Sequence, residues 1–178
     1  METKLEKRNN LFIEIMPKGD FVEPRIAKKG SVGYDLFVPE DFTVPARSRV
    51  CIPMNFAINL PVGIEAKIEA RSGFSLKGIE GIGKKLVWRR LFGVLPYPVL
   101  KLCQQRFDAD VLPGKIDPFY TDAIGVIIKN YGKKFTISKG TRIAQMTFYE
   151  VVSPGFMLVK SFDVQSRGGG FGSSGIKF

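Results

Sequence analysis

Apolar and polar positions alternate in short bursts along most of this chain. In "GIEAKIEA", residues 63 to 70, Ile64, Ala66 and Ile68 fall on one side and Glu65, Lys67 and Glu69 on the other, the two-residue period of a strand with one buried face. "LFIEIM", "FTVPARSRVCIPMNFAINL", "AIGVIIKN", "KFTIS" and "RIAQMTFYEVV" are likewise rich in β-branched and aromatic residues. The turn signals "PKGD", "PVG", "YGK" and "SKG" separate them. Many short strands at this spacing predict an all-β domain, a sandwich or barrel. No internal repeat is visible.

One block breaks the pattern. "KKLVWRRLFGVLPYPVLKLCQQR", residues 84 to 106, carries Lys84, Lys85, Arg89, Arg90, Lys101 and Arg106 with no acid. "LVWRRLF" suits a helical turn or two that Pro96 and Pro98 stop. The whole chain has a formal net charge of +10, so much of the basic excess is this one local feature. Such an excess points to a polyanionic partner: nucleic acid, an anionic membrane surface or a phosphorylated small molecule. The apolar content of the block argues against disorder. It predicts a flap packed over the domain or over the rim of an assembly, with docking on an anionic partner or membrane surface as the other readings.

With 178 residues, 44% of them hydrophobic, the chain suits one domain with a substantial core. Glu14 interrupts the early apolar run, and "LFGVLPYPVL", residues 91 to 100, is too short and too proline-rich to span a bilayer. A soluble intracellular protein, cytoplasmic or nuclear, is the expectation. Cys51 and Cys103 are the only cysteines, which predicts free thiols rather than a disulfide framework. There is no histidine. That removes the commonest general base, the histidine-dependent nucleophile schemes and nearly all zinc sites. Acid-base work falls to carboxylates, Lys, Tyr or a thiol, and a metal, if used, is a hard cation bound through oxygen.

Four internal segments can carry chemistry, each with a plainer structural reading. "GSVGYDLFVPED", residues 30 to 41, places Asp35 in an apolar setting, where a carboxylate needs a partner: a structural ion pair or a group to orient. "EARSGFSLKG", residues 69 to 78, is either a serine-capped turn or a phosphate grip from Arg71, Ser72 and Gly73. In "LPGKIDPFYTDAIGVIIKN", residues 112 to 130, the Asp117-Pro118 pair is first a turn former and Tyr120 first a packing residue. "GTRIAQMTF" sets Arg142 and Gln145 beside a strand. The tail "SRGGGFGSSG", residues 166 to 175, is a flexible linker or a loop whose N–H groups wrap a phosphate chain.

Taken in order, "GSVGYDLFVPED", "ARSGFSLKG", "GKIDPFYTDAIGVIIKN", "GTRIAQMTF" and "RGGGFGSSG" resemble the five motifs of the trimeric dUTP pyrophosphatase (dUTPase) family. The resemblance runs over about residues 11 to 175, apart from an atypical basic insertion at 84 to 106. It implies a jelly-roll-like subunit, residues 1 to 165, followed by a flexible C-terminal arm, residues 166 to 178. It also implies a homotrimer with sites shared between chains, and Mg²⁺-assisted hydrolysis of dUTP to dUMP and pyrophosphate. Asp117 then resembles the carboxylate that holds the attacking water, and Asp35 a supporting member of the catalytic set. Tyr120 resembles the aromatic packed under deoxyribose, and main chain near Gly114, Ile124, Gly125 and Val126 the reader of uracil. Arg71, Ser72, Gly73 and Gln145 resemble phosphate contacts, with Arg142 in support. Arg167 is expected on the γ-phosphate and Phe171 on the base, flanked by Gly172 and Ser173. Mg²⁺ is expected through phosphate oxygens and water, with no direct protein ligand.

The match departs in three places. The arm spaces Arg167 and Phe171 one residue closer than the family does. Phe119 stands where an acid is common, and Asp122 where glycine is common, a position expected to be left-handed. Two other functions are alternatives on this fold: a dUTPase-like nucleotide-binding or regulatory protein with weak or no catalysis, and a dCTP deaminase relative.

Overall fold

The computed structural model describes residues 11–166. Fourteen strands and one short helix follow one another: β1 (Glu14–Pro17), β2 (Arg25–Ile26), β3 (Tyr34–Phe37), β4 (Phe42–Val44), β5 (Arg49–Pro53), β6 (Phe56–Asn59), β7 (Ile64–Glu69), α1 (Ser72–Lys77), β8 (Ile79–Leu91), β9 (Leu95–Phe107), β10 (Ala109–Leu112), β11 (Gly114–Ile116), β12 (Gly125–Asn130), β13 (Phe135–Ile137) and β14 (Arg142–Glu150). They pair into sheets β11-β7-β14-β3-β2, β4-β13-β8-β9, β10-β12-β5 and β1-β6. The all-β expectation holds. No helix among the described residues is long and apolar enough to cross a membrane.

Alternation builds the core. Along β12, Val126, Ile128 and Asn130 point inward while the residues between them are half-buried. Leu36, Ile52, Phe56, Ile79, Ile124, Phe135 and Ile137 fill the space between sheets. Each such side chain contributes about 1.5–3 kcal/mol by leaving water. Fully buried Asn130 is satisfied: its amide donates to the Pro45 and Lys133 carbonyls at 2.7 and 3.0 Å and its Oδ1 accepts the Gly132 N–H at 2.9 Å. On β7, hydrogen bonding to Glu69 holds the Lys67 ammonium above its usual range. Cys51 and Cys103 are free thiols.

The basic block corrects the sequence reading. Residues 86 to 92 form no helical turn; β8 and β9 pair over thirteen residues each, from Ile79↔Phe107 to Leu91↔Leu95. Val87, Trp88, Tyr97 and Val99 suit a strand, and β9 is a sheet edge, where Pro96 and Pro98 cost no ladder bond on their outer side. Nor does the block lie over its own subunit, since from Lys84 to Leu102 its residues are exposed apart from half-buried Val87 and Val99.

Two turns place the site. Gly78 ends α1 at φ 74°, and a Cβ there would stand 2.3 Å from the Phe107 carbonyl oxygen, so the helix-to-β8 joint needs glycine on both counts. In the loop after β11 the left-handed residue is Phe119, φ 68°, and not Asp122 as the sequence suggested.

Candidate active site

A carboxylate buried between strands organises the site. Asp35 on β3 is 4% exposed. Its Oδ1 accepts an ion pair from Arg71 Nε at 2.9 Å, and its Oδ2 one from Arg142 Nη1 at 3.2 Å. Arg71 is delivered by the end of β7 and Arg142 by the start of β14, strands that neighbour each other in the sheet that also holds β3. With both oxygens engaged, Asp35 fixes two guanidinium groups that would otherwise swing on flexible stems.

A bulge in β14 aligns the rest. Arg142 and Gln145 are three apart and in a regular strand would face opposite ways. The register steps from Phe37↔Arg142 to Leu36↔Ala144, inserting one extra residue on β14, and then to Asp35↔Gln145. That extra residue restores parity, so both side chains face the same cleft. Gly33 allows this closeness: a Cβ there would stand 3.2 Å from the Gln145 side chain.

The resulting cleft, about 670 Å³, is lined by Asp35, Arg71, Ser72, Gly73, Arg142 and Gln145 among the residues singled out in the sequence. The N–H groups of Ser72 and Gly73 open α1 and have no intrahelical acceptor. A Cβ on Gly73 would meet nothing within 4 Å, so the space beside that backbone is open. Lys77, Glu80 and Arg106 also line the cleft and were missed from the sequence. Arg106 pairs with Glu80 and donates to the Gly78 carbonyl at 3.2 Å. Glu80 lies just before the basic block, so only the paired strands reveal that Arg106 belongs to the cleft. Four cations stand against two carboxylates in the lining, a surplus suited to a polyphosphate.

Asp117 and Tyr120 lie elsewhere. β11 pairs with β7 as Gly114↔Ile68, Lys115↔Lys67 and Ile116↔Ala66, which carries Asp117 level with Glu65. Arg71 leaves the opposite end of β7, six residues on, or about 20 Å at strand rise. Asp117 is exposed, and the Tyr120 hydroxyl donates to the Ala123 carbonyl at 3.4 Å. The Ile124 N–H and carbonyl are spent on Phe56 and Met54, both at 3.0 Å. β10 pairs with β12 only as far as Leu112↔Ile127, after which the chain crosses to β7. The edge of Gly125 and Val126 on that side is therefore uncovered by any described strand, and Gly114 sits where the two chains diverge. Arg167, Phe171, Gly172 and Ser173 lie outside the described residues.

Among the described residues no three His, Cys, Asp or Glu side chains gather into a metal cage. The donor set of the cleft, guanidinium, ammonium, hydroxyl and amide, suits a bound anion, and a divalent cation fits there as a guest of that anion's oxygens.

The comparisons with known proteins point the same way. The chain is 32% identical over 156 residues to the deoxyuridine 5'-triphosphate nucleotidohydrolase of Monkeypox virus, covering 86% of this chain and 83% of the relative. It is 31% identical over 186 residues to the enzyme of that name from Arabidopsis thaliana, covering 97% and 95%. In fold it resembles a Staphylococcus bacteriophage 80alpha dUTPase variant solved with dUpNHpp, at a TM-score of 0.71 and 21% identity over 93% of this chain and 99% of that one. It also resembles a dUTPase variant of phage phi11, whose structure details a structural Mg(II) ion, at a TM-score of 0.66 and 18% identity over 86% and 100%. The family model for dUTPase matches residues 20–95 and 105–175, leaving only 96–104, within β9, unmatched between the two stretches. A match of that extent, on a fold that brings Arg71 and Arg142 to one buried carboxylate, shows that the chain belongs to the dUTPase family.

Proposed function

We propose that the chain hydrolyses dUTP to dUMP and pyrophosphate, with the Asp35 cleft as its triphosphate grip and Asp117 as the group that aligns the attacking water. The observation that carries this is the pair of arginines locked onto one buried carboxylate beside open backbone N–H groups. Guanidinium forks held in advance stabilise charge that develops on the phosphates without reorganising during reaction. Ser72 and Gln145 add uncharged donors to the same chain. Mg²⁺, carried by the phosphate oxygens and water, supplies charge neutralisation when bound.

Asp117 accepts the proton of a water aimed at the α-phosphorus. Tyr120 packs under the sugar and excludes a 2′-hydroxyl, while the uncovered main-chain edge at Gly125 and Val126 offers donors and acceptors to a uracil. A backbone reader leaves no room for thymine's methyl and mispairs with cytosine. The arm, with Arg167, Phe171, Gly172 and Ser173, closes over the bound nucleotide. Because about 20 Å of β7 separates Asp117 from Arg71 in one chain, each site takes the two halves from different chains, which supports a homotrimer. An intracellular enzyme accords with two free thiols.

Purified protein given dUTP, dCTP or UTP with Mg²⁺ should release pyrophosphate from dUTP alone. Ammonia from dCTP would move the chain to the deaminases, and silence with all three would leave a binding protein.

A further inference from the structure

Among the described residues, nothing covers the β8–β9 hairpin where it leaves the body of the protein. β8 meets its other neighbour only at Thr136↔Ile82. From Lys84 to Leu91 its sole partner is β9, a span of about 26 Å. Isolated two-stranded hairpins are marginal in water, and this one exposes large apolar side chains as well. Directly opposed residues share a face. One face carries Leu86 and Leu100, Trp88 and Pro98, and Lys84 with Leu102. The other carries Lys85 opposite Lys101 and Arg89 opposite Tyr97. Two lysines set directly across a ladder repel unless an anion lies over them. No ion pair among the described residues engages Lys84, Lys85, Arg89, Arg90 or Lys101.

The tip adds an independent sign. Phe92 and Gly93 both have positive φ, 49° and 76°, in a tight turn where the Val94 N–H donates to the Leu91 carbonyl at 3.1 Å. Glycine takes that conformation freely, whereas phenylalanine is strained in it and is still 93% exposed. Packing against the described residues therefore does not account for an aromatic there.

We propose that this hairpin docks the enzyme on an anionic lipid surface, tip first and with the Leu86–Trp88–Leu100 face toward the bilayer. The order of chemistry along the hairpin matches the gradient at such a surface. Leu91, Phe92, Val94 and Leu95 come at the end; Arg89, Arg90, Trp88 and Tyr97 follow; Leu86 and Leu100 continue the apolar face behind them, so the hairpin lies tilted on the surface; Lys84, Lys85 and Lys101 come last, among the headgroup charges. Nucleic acid would use the same cations but has no use for a row of exposed leucines, since its interfaces are polar and read by stacking and hydrogen bonds.

Trp88 is the only tryptophan in the chain, so its emission reports on the hairpin without labelling. The full-length protein should show a blue shift with vesicles of phosphatidylcholine plus phosphatidylserine and none with phosphatidylcholine alone. Brominated acyl chains should quench it, and high salt should reverse the shift. Phe92→Asp combined with Leu95→Asp should weaken vesicle partition about tenfold or more while leaving dUTP turnover unchanged. Three results would overturn the proposal: emission that shifts equally with heparin or single-stranded DNA, emission already blue and shielded from acrylamide before vesicles are added, or no response to anionic vesicles. The first assigns the surface to nucleic acid or another polyanion, the second to a contact between copies of the chain.

Discussion

Arg71 and Arg142 end on a carboxylate that is 4% exposed, whereas Arg89 and Arg90 are exposed and pair with no acid among the described residues. The first pair sits where three neighbouring strands bring their ends together, and its geometry is set before any ligand arrives. The second pair rides on a hairpin with one partner strand, free to follow whatever it meets. Rigidity suits a group that must stabilise charge at a fixed phosphorus; freedom suits a charge that meets a diffuse field. One residue type thus serves two purposes according to what buries its counter-charge.

The contrast can be broken from either side. Asp117→Asn removes the proposed proton acceptor from an exposed loop, so kcat should fall by about 10²–10⁴-fold while nucleotide affinity and thermal unfolding stay as they are. Unchanged turnover in a continuous pyrophosphate assay would take Asp117 out of the reaction. Asp35→Ala leaves two partly exposed guanidinium groups without the carboxylate that holds them and should cost about 2–3 kcal/mol in urea unfolding, together with weaker triphosphate binding. A loss below about 1 kcal/mol, the scale of an exposed pair, would mean that the carboxylate does not organise the cleft.

Smaller effects sharpen the comparison. Gly78→Ala, where the cleft and the hairpin join, should destabilise by about 2 kcal/mol through its left-handed backbone and the Phe107 carbonyl in its way. Linking Lys85 to Lys101 through a two-residue Asn-Gly turn should change the melting temperature by no more than about 2–4 °C and leave turnover intact, because the removed residues 86 to 100 bury little. A larger drop would show that the hairpin holds the subunit or its assembly together.

Much of this was readable in the chain. Clean alternation in "GIEAKIEA" gave β7, and the order of short motifs singled out Asp35, Arg71, Ser72, Gly73, Arg142 and Gln145, which share one cleft. The bulge that makes Arg142 and Gln145 neighbours on one face left no signal, because one extra residue is visible only against a partner strand. In the sequence Arg106 reads only as the last cation of the basic block, since its partner, Glu80, is 26 positions away and meets it only through β8–β9 pairing. The hairpin is hidden in the same way, because its two prolines signal a helix stop and nothing local says that β9 is an edge. Phe119 in the left-handed region, in place of Asp122, was equally beyond local propensity.

In the proposed enzyme, the water-aligning carboxylate and the phosphate grip of one site come from different chains. Asp117→Asn and Arg71→Ala proteins, each inactive alone, can be denatured, mixed in equal parts and refolded together. Random assembly then gives roughly a quarter of the sites both intact groups, so about that fraction of the unmutated enzyme's activity should return. If each chain carries a whole site, mixing will restore nothing above the two parent proteins.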